Sequence, residues 1–254
     1  MRANSLKNRA DDRHEYRTRL YQGYVRTCQS YLRPSTLETH ARMGGWYHSQ
    51  FGRFLPPDHG AAILDVGCGD GALVRSFQQA GYTNVRGIDL SREQVALANS
   101  LGVQHVEEAA AQAYLDAHRG EFRLITVVDV LEHLDKNEVL AFLDALYGAL
   151  EVGGAVLIHT VNAASPFGGY YHYGDFTHEL AFTSWSIEQV LREAGFGEIQ
   201  VMEVQPAQLG PVSKVRYALW QVIRAVLCSY LAIETGVVRG HVLTQNLIAV
   251  ARRV

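Results

Sequence analysis

The stretch ILDVGCGDG, residues 63–71, is an apolar run that turns into three glycines spaced two apart. A strand ending in such a turn brings a nucleotide close to bare backbone. The spacing narrows which nucleotide. A dinucleotide fingerprint places its third glycine one position later and leaves the next helix N-terminus free for pyrophosphate. Here Gly67, Gly69 and Gly71 are followed by Ala72 and Leu73, while Asp65 precedes the turn and Asp70 lies inside it. Carboxylates repel pyrophosphate but favour a cationic amino-acid moiety. No lysine followed by serine or threonine stands in the turn, which excludes a P-loop.

Working outward, strand and helix patterns alternate. AAILDV (61–66), NVRGIDL (84–90), VQHVE (103–107), FRLITVVD (122–129), AVLIHTV (155–161), EIQVMEV (198–204) and TQNLIAVARR (244–253) read as strands. Helical patterns fill 71–81, 91–102 with Ser91 as its cap, 113–118, 136–150 and 183–196. This alternation predicts an α/β fold: a Rossmann-like, doubly wound, mostly parallel seven-stranded sheet. Ahead of it, Tyr16, Leu20, Tyr24 and Cys28 recur four apart over about 11–31, and a second helix covers 37–54, before LPPDHG breaks the chain. Residues 1–58 therefore read as a helical extension or lid, 59–254 as the main domain, and 205–241 as a helical insertion before the last strand.

Composition sets the outer bounds. The 254 residues are 48% hydrophobic and 19% charged, ordinary for a folded chain with a substantial core. A net charge of −3 gives no global field for nucleic acid. Cys28, Cys68 and Cys228 are scattered and form neither a disulfide framework nor a metal-ligand pair, which suits a reducing compartment. The N-terminus alternates charges and lacks the apolar core of a signal peptide. Arg216, Arg224 and Glu234 interrupt the one long apolar segment and argue against a spanning helix. A cytoplasmic location is the expectation.

Asp89 ends the second strand about twenty residues after the turn, where a carboxylate accepts both ribose hydroxyls. Alone, that acid fits NAD as well as adenosylmethionine. With ILDVGCGDG, GIDLS, VVDVLEHL and LEVGGAVLIHT in order, the chain resembles the class I S-adenosylmethionine-dependent methyltransferases over roughly residues 60 to 200. The resemblance implies that the backbone at Gly67 and Gly69 approaches the methionine part, that Asp89 binds the ribose, and that Asp65, Cys68 and Leu90 bind the cofactor beside them. It also implies that Asp129 and Val130 line the cofactor. At the third strand the chain departs from the family: EEAAAQAYL puts Ala109 and Ala110 where many members carry an adenine-binding acid, so backbone groups near Ala110 take that place.

Methyl transfer to oxygen requires removal of the acceptor's proton, and histidine is the usual base near neutral pH. His133, in DVLEHLDK, and His178, in GGYYHYGDFTHELAFT, are the candidate bases. His105, His118 and His159 read as structural or solvated, and Tyr47 and Arg42 as packing groups rather than a lid. The EH pair and the later histidine resemble quinone-precursor O-methyltransferases and small-RNA 2′-O-methyltransferases, in which the corresponding groups of the latter hold a divalent metal. No metal is assigned to this chain. The tyrosine-rich N-terminus, YGDFTHELAFTSWSIEQVLREAGF and TQNLIAVARR resemble methyltransferases of bacterial surface-glycan assembly.

The expected function is thus O-methylation of a sugar hydroxyl of a surface polysaccharide or its precursor. Two alternatives stand beside it: an aromatic or quinone-type hydroxyl as acceptor, and a cofactor-binding partner without transferase activity. RNA methylation lacks the basic patch with interleaved aromatics. Over 213–236, Val215, Leu219, Val222, Val226 and Tyr230 form an apolar stripe that reads as packing on the main domain, a dimer contact or a peripheral membrane surface.

Overall fold

The computed structural model describes residues 15–21, 23, 35–208 and 210–254. Two helices precede the sheet, α1 (Glu15–Tyr21) and α2 (Leu37–Phe51), the latter capped by the Thr36 hydroxyl and followed by a 3-10 turn at Gly52–Phe54. The expected helix over 11–31 is seen as α1 and a turn at Gly23; Tyr24 and Cys28 lie outside the described residues. Next come β1 (Ile63–Val66), α3 (Ala72–Gln79), β2 (Val85–Asp89), α4 (Arg92–Ser100), β3 (Val106–Glu108), α5 (Ala111–Ala117) and β4 (Phe122–Val128). A 3-10 turn at Leu131–His133 leads to α6 (Lys136–Ala149) and β5 (Leu150–Val161). The chain then forms α7 (Gly168–His172), α8 (Ser184–Glu193), β6 (Phe196–Glu203), α9 (Pro211–Thr235) and β7 (Asn246–Arg253).

One sheet runs in the order β3-β2-β1-β4-β5-β7-β6. The sequence order reverses beside β1, whose neighbours β2 and β4 are both parallel to it. Only β7 runs against its neighbours, pairing antiparallel with β5 and β6. Every residue of β1 is buried because helices cover both faces. Ile63 joins Tyr47, Phe51, Leu73, Val74 and Phe77 on one face. On the other, Leu64 and Val66 join Ile125, Leu143, Leu146 and Ile187. Helix α2 is thus part of the core of one layer.

Two local features differ from expectation, and one of the three readings of the stripe over 213–236 falls away. β5 starts at Leu150, because LEVG continues the strand through a bulge against β4 between Phe122 and Leu124, with Gly153 at φ 78°. β3 is reduced to three residues at the sheet edge. The stripe on α9 does not pack on the domain: none of the helix's residues is buried. No helix among the described residues is long and apolar enough to cross a membrane.

Candidate active site

The carboxyl ends of β1, β2, β4 and β5 form a ledge at the switch in strand order, where open α/β sheets bind ligands. At the end of β1 the chain turns through Gly67 (φ 72°) and Gly69 (φ 54°), conformations glycine adopts without strain. A β-carbon on Gly67 would meet Val130 Cγ2 at 2.3 Å, whereas one on Gly69 would point into open space. Gly67 therefore lets the turn close on the loop after β4, and Gly69 leaves a cradle free. The N–H groups of Gly67 and Cys68 both donate to Ile88 O, at 2.8 and 3.0 Å, tying the turn to β2.

Asp89 carries the other side of this cradle. One carboxylate oxygen accepts from Gly69 N at 2.9 Å and the other from Ser91 N at 2.7 Å. Burial raises its pKa, opposed by those two hydrogen bonds. Each oxygen keeps a further lone pair, the arrangement that two ribose hydroxyls require. Asp65 is buried beneath the turn and accepts from Thr126 Oγ1 at 2.7 Å. Burial pushes its carboxyl up to about 7, the Thr126 bond opposing and the Asp89 charge adding.

Asp70, expected beside the cationic end of the ligand, instead turns under α2. Its carboxylate accepts from Ser35 Oγ at 2.6 Å and lies 3.3 Å from His40 Nε2. One oxygen is taken locally, accepting from Ala72 N at 3.3 Å, and the other is held by distant groups at and just before the start of α2. Burial pushes the Cys68 thiol well up, so it is an inert wall of the turn. Leu90 is 65% exposed at the rim, and Ala110 opens α5 without a side-chain cap.

After β4 the backbone enters the left-handed region at Asp129 (φ 55°), uncommon for a residue with a β-carbon. That turn aims the carboxylate across to β5, where His159 Nδ1 lies 2.7 Å from Oδ1. Crowding around its inner oxygen would raise Asp129 although the side chain reaches the rim, but His159, with weaker help from His133 and His178, holds its carboxyl below the usual range. Asp129 is exposed at the rim, while His159 is buried edge to face with Trp46, and His159 Nε2 has no partner among the described residues. An orphaned buried nitrogen and an open glycine cradle fit a ligand with polar groups at both ends of the ledge.

Three residues further on, Glu132 folds inward. Its side chain accepts from Thr160 Oγ1 at 2.8 Å, and its carbonyl accepts from Glu179 N and Leu180 N at 2.7 and 3.0 Å. Burial, with the nearby Asp129 charge, pushes its carboxyl up to about 8. Those backbone bonds draw the segment 175–180 over His133. Thr177 Oγ1 lies 2.8 Å from His133 Nδ1 and donates to Asp175 Oδ1 at 2.7 Å. Because the carboxylate takes the only hydroxyl proton, Nδ1 of His133 must be the donor and Nε2 carries the free lone pair. Burial, with His178 next to it, lowers His133 to about 4. His178 Nδ1 lies 3.2 Å from the carbonyls of both Tyr171 and His172; carbonyls only accept, so Nδ1 is the donor and in the neutral ring Nε2 carries the lone pair.

Helix α1 lies across these loops. Arg17 forks onto Glu138 at 2.9 and 2.7 Å, Tyr16 donates to Glu179, and the Tyr21 ring stands 6.3 Å from that of His133. Glu138 also closes the capping box of α6 with Asp135, so one carboxylate both caps that helix and anchors α1. Burial pushes the Tyr21 phenol up to about 12, so it stays a donor beside Thr177.

The structure therefore brings Asp65, Gly67, Gly69, Asp89, Asp129 and Val130 to one ledge, with His133 and His178 at its edge. Sequence reasoning passed over His159, Thr177 and Tyr21. For His159 a signal existed: HT at the end of a strand puts a histidine level with Asp129. Tyr47, by contrast, is buried in the core, as packing requires. Among the described residues no group of three His, Cys, Asp or Glu side chains is placed to hold a metal, since Glu132 turns inward from the histidines.

The profile of a family described as a methyltransferase domain matches residues 39–201. A ubiquinone biosynthesis O-methyltransferase from Shewanella pealeana is 31% identical over 41% of this chain and 44% of its own length. A protein of the same name from Xanthomonas axonopodis pv. citri is 30% identical over 64% of this chain and 69% of its own. The match thus spans less than half of the first relative and about two thirds of the second. Among solved structures, a SAM-dependent methyltransferase from Archaeoglobus fulgidus superposes with a TM-score of 0.62 over 84% of this chain and 94% of that one, at 18% identity, which is a likeness of fold.

Proposed function

This chain belongs to the methyltransferase-domain family, and we propose that it transfers the methyl group of S-adenosylmethionine to an aromatic, quinol-type hydroxyl. The observation that carries an oxygen acceptor is the Asp175–Thr177–His133 relay, which presents an unprotonated Nε2 beside a second histidine oriented through its own Nδ1. A hydroxyl has a proton that must leave; a base fixed in one tautomer takes it. The names of the relatives point to the aromatic ring. The sugar acceptor expected from sequence resemblance loses to it on those names.

S-adenosylmethionine supplies an electrophilic methyl on a sulfonium. Asp89 accepts the ribose hydroxyls, and the backbone of Gly67, Cys68 and Gly69 approaches the methionine part closely. Leu90 and the backbone at Ala110 flank the adenine, and Val130 walls the pocket. Asp129 offers a rim carboxylate, positioned by His159, to the ammonium end. His133 or His178 takes the acceptor proton on Nε2, and Asp175, through Thr177, stabilises the imidazolium that results. Helix α1 closes over His133 and excludes water.

A sugar hydroxyl remains as a second reading because Tyr170, Tyr173 and Phe176 are each about four-fifths exposed beside the histidines. Exposed aromatic faces stack on sugar rings as readily as on quinols. Labelled cofactor offered with hydroxylated aromatic acids, catechols and nucleotide sugars tests the proposal. Label in the catechol fraction supports it; label in the sugar alone moves the acceptor; label in neither overturns transfer to oxygen.

A further inference from the structure

Helix α9 presents an apolar face that the domain does not cover. Val212, Leu219, Val226 and Ile233 recur every seven residues, with Val215 and Val222 at the intervening positions, and each is at least 60% exposed. In heptad terms these are a and d positions, with Ser229 the one polar residue in the series. The opposite side of the helix faces the body: Arg224 pairs with Glu203 at 2.7 Å, and the Trp220 indole nitrogen is buried. The orientation of the helix is therefore fixed, with its seam outward.

The repeat separates the possible occupants. A strict seven-residue spacing keeps a seam against another helix, a constraint a lipid surface does not impose. Interfacial helices carry aromatics and many cations; this seam is mostly valine with Tyr230 exposed beside it, Trp220 faces the body, and the chain's net charge is −3. Beside the seam, Ala218, Ala225 and Ala232 repeat at the same interval and let a second backbone approach closely. At about 37 Å long, a pair of such helices buries on the order of 1,200 Å² in total, the lower bound of specific interfaces.

We infer that α9 is a homodimer interface in which two copies of this chain pair their helices antiparallel about a two-fold axis. The charges select the direction. Lys214 and Arg216 stand at the N-terminal end and Glu234 at the C-terminal end. Antiparallel pairing brings the basic end of one copy level with the acidic end of the other and opposes the helix dipoles. Parallel pairing would set Arg216 level with its own copy.

Sedimentation of the full chain tests this. The unsubstituted protein is expected to run as a dimer at micromolar concentration. Leu219→Glu combined with Val226→Glu should weaken association by about a hundredfold or more, with cofactor binding unchanged as the control for folding. Under mild oxidation Val215→Cys combined with Ile233→Cys should add a cross-linked dimer absent from the parent chain, while Val212→Cys should not. A monomer at all concentrations, a dimer that survives the two glutamates, or flotation with phosphatidylglycerol vesicles that the glutamates abolish would each overturn the inference. A cross-link through Val212→Cys overturns the antiparallel arrangement.

Discussion

The rings of His133 and His178 meet edge to face with centres 4.7 Å apart, and each is oriented through its own Nδ1. His133 is held by a hydroxyl that a carboxylate orients, His178 by two backbone carbonyls. Two adjacent imidazoles cannot both be charged without repulsion, which adds to burial in lowering His133. Thr177 is then the linchpin of the pair. Thr177→Val removes the hydroxyl while keeping the shape, so His133 loses its fixed tautomer. Turnover is expected to fall roughly 10²-fold, within the usual worth of acid–base catalysis, with cofactor affinity unchanged by calorimetry. Thr177→Ser should restore most of it. Equal rates in the valine and serine variants would remove the relay from the mechanism.

Asp89 is the cofactor's expected anchor and the turn's own tie to Ser91. Asp89→Asn keeps the shape but sets an amide N–H against one of two backbone donors. Adenosylmethionine binding should weaken about 10- to 100-fold, since hydrogen bonds to charged groups contribute roughly 1.5–3 kcal/mol. Titration calorimetry measures this directly. Unchanged affinity would show that the ribose lies elsewhere.

Much of the ledge was legible because it is local. The turn, Asp89 and the Ser91 cap each need only neighbours in sequence, and the strand–helix alternation carries the sheet. What escaped depends on partners that periodicity does not reveal. Asp70 looked available until α2 supplied Ser35 and His40. His159 reads as a core residue until Asp129 swings through a left-handed turn to meet it. Thr177 gains its role only because the Glu132 carbonyl draws the 179–180 backbone over the β4 loop. The α9 seam was visible as a stripe, yet only the folded domain shows that Arg224 faces inward and the valines outward.

Arg17 is the charged bolt of α1. Its fork onto Glu138 holds the helix across the histidines, although Glu138 is partly open to solvent. Screening limits the pair's contribution to stability to about 1 kcal/mol. The larger effect should fall on the acceptor. Arg17→Ala is expected to raise the acceptor KM about tenfold, equivalent to about 1.4 kcal/mol, with Tm moved by only a few degrees. A large loss of Tm with KM intact would make α1 a structural strut rather than a cover.

Glu132 predicts the pH dependence of stability. Its carboxyl, pushed up to about 8 from an ordinary 4.5 by burial and the Asp129 charge, holds its proton more tightly when folded. Its contribution is therefore full below about pH 4.5 and is lost as pH rises through 8. Asp65, raised to about 7, acts in the same direction with its midpoint at that value, so it fades about a pH unit before Glu132 does. His133, lowered to about 4, acts oppositely: its contribution is present above about 6.5 and disappears as pH falls through 4. Between pH 7 and 8 Glu132 carries most of the slope, while Asp65 completes its own titration and adds a smaller part in the same direction. Each pH unit there should lower the stability of the parent chain by about 1 kcal/mol, or about 2–4 °C of Tm for a chain of this size. Glu132→Gln keeps an acceptor for the Thr160 hydroxyl and cannot ionise, so its Tm should be flatter across that window and its advantage should grow with pH. Parallel melting curves for the two proteins would show Glu132 to be ionised already at neutral pH.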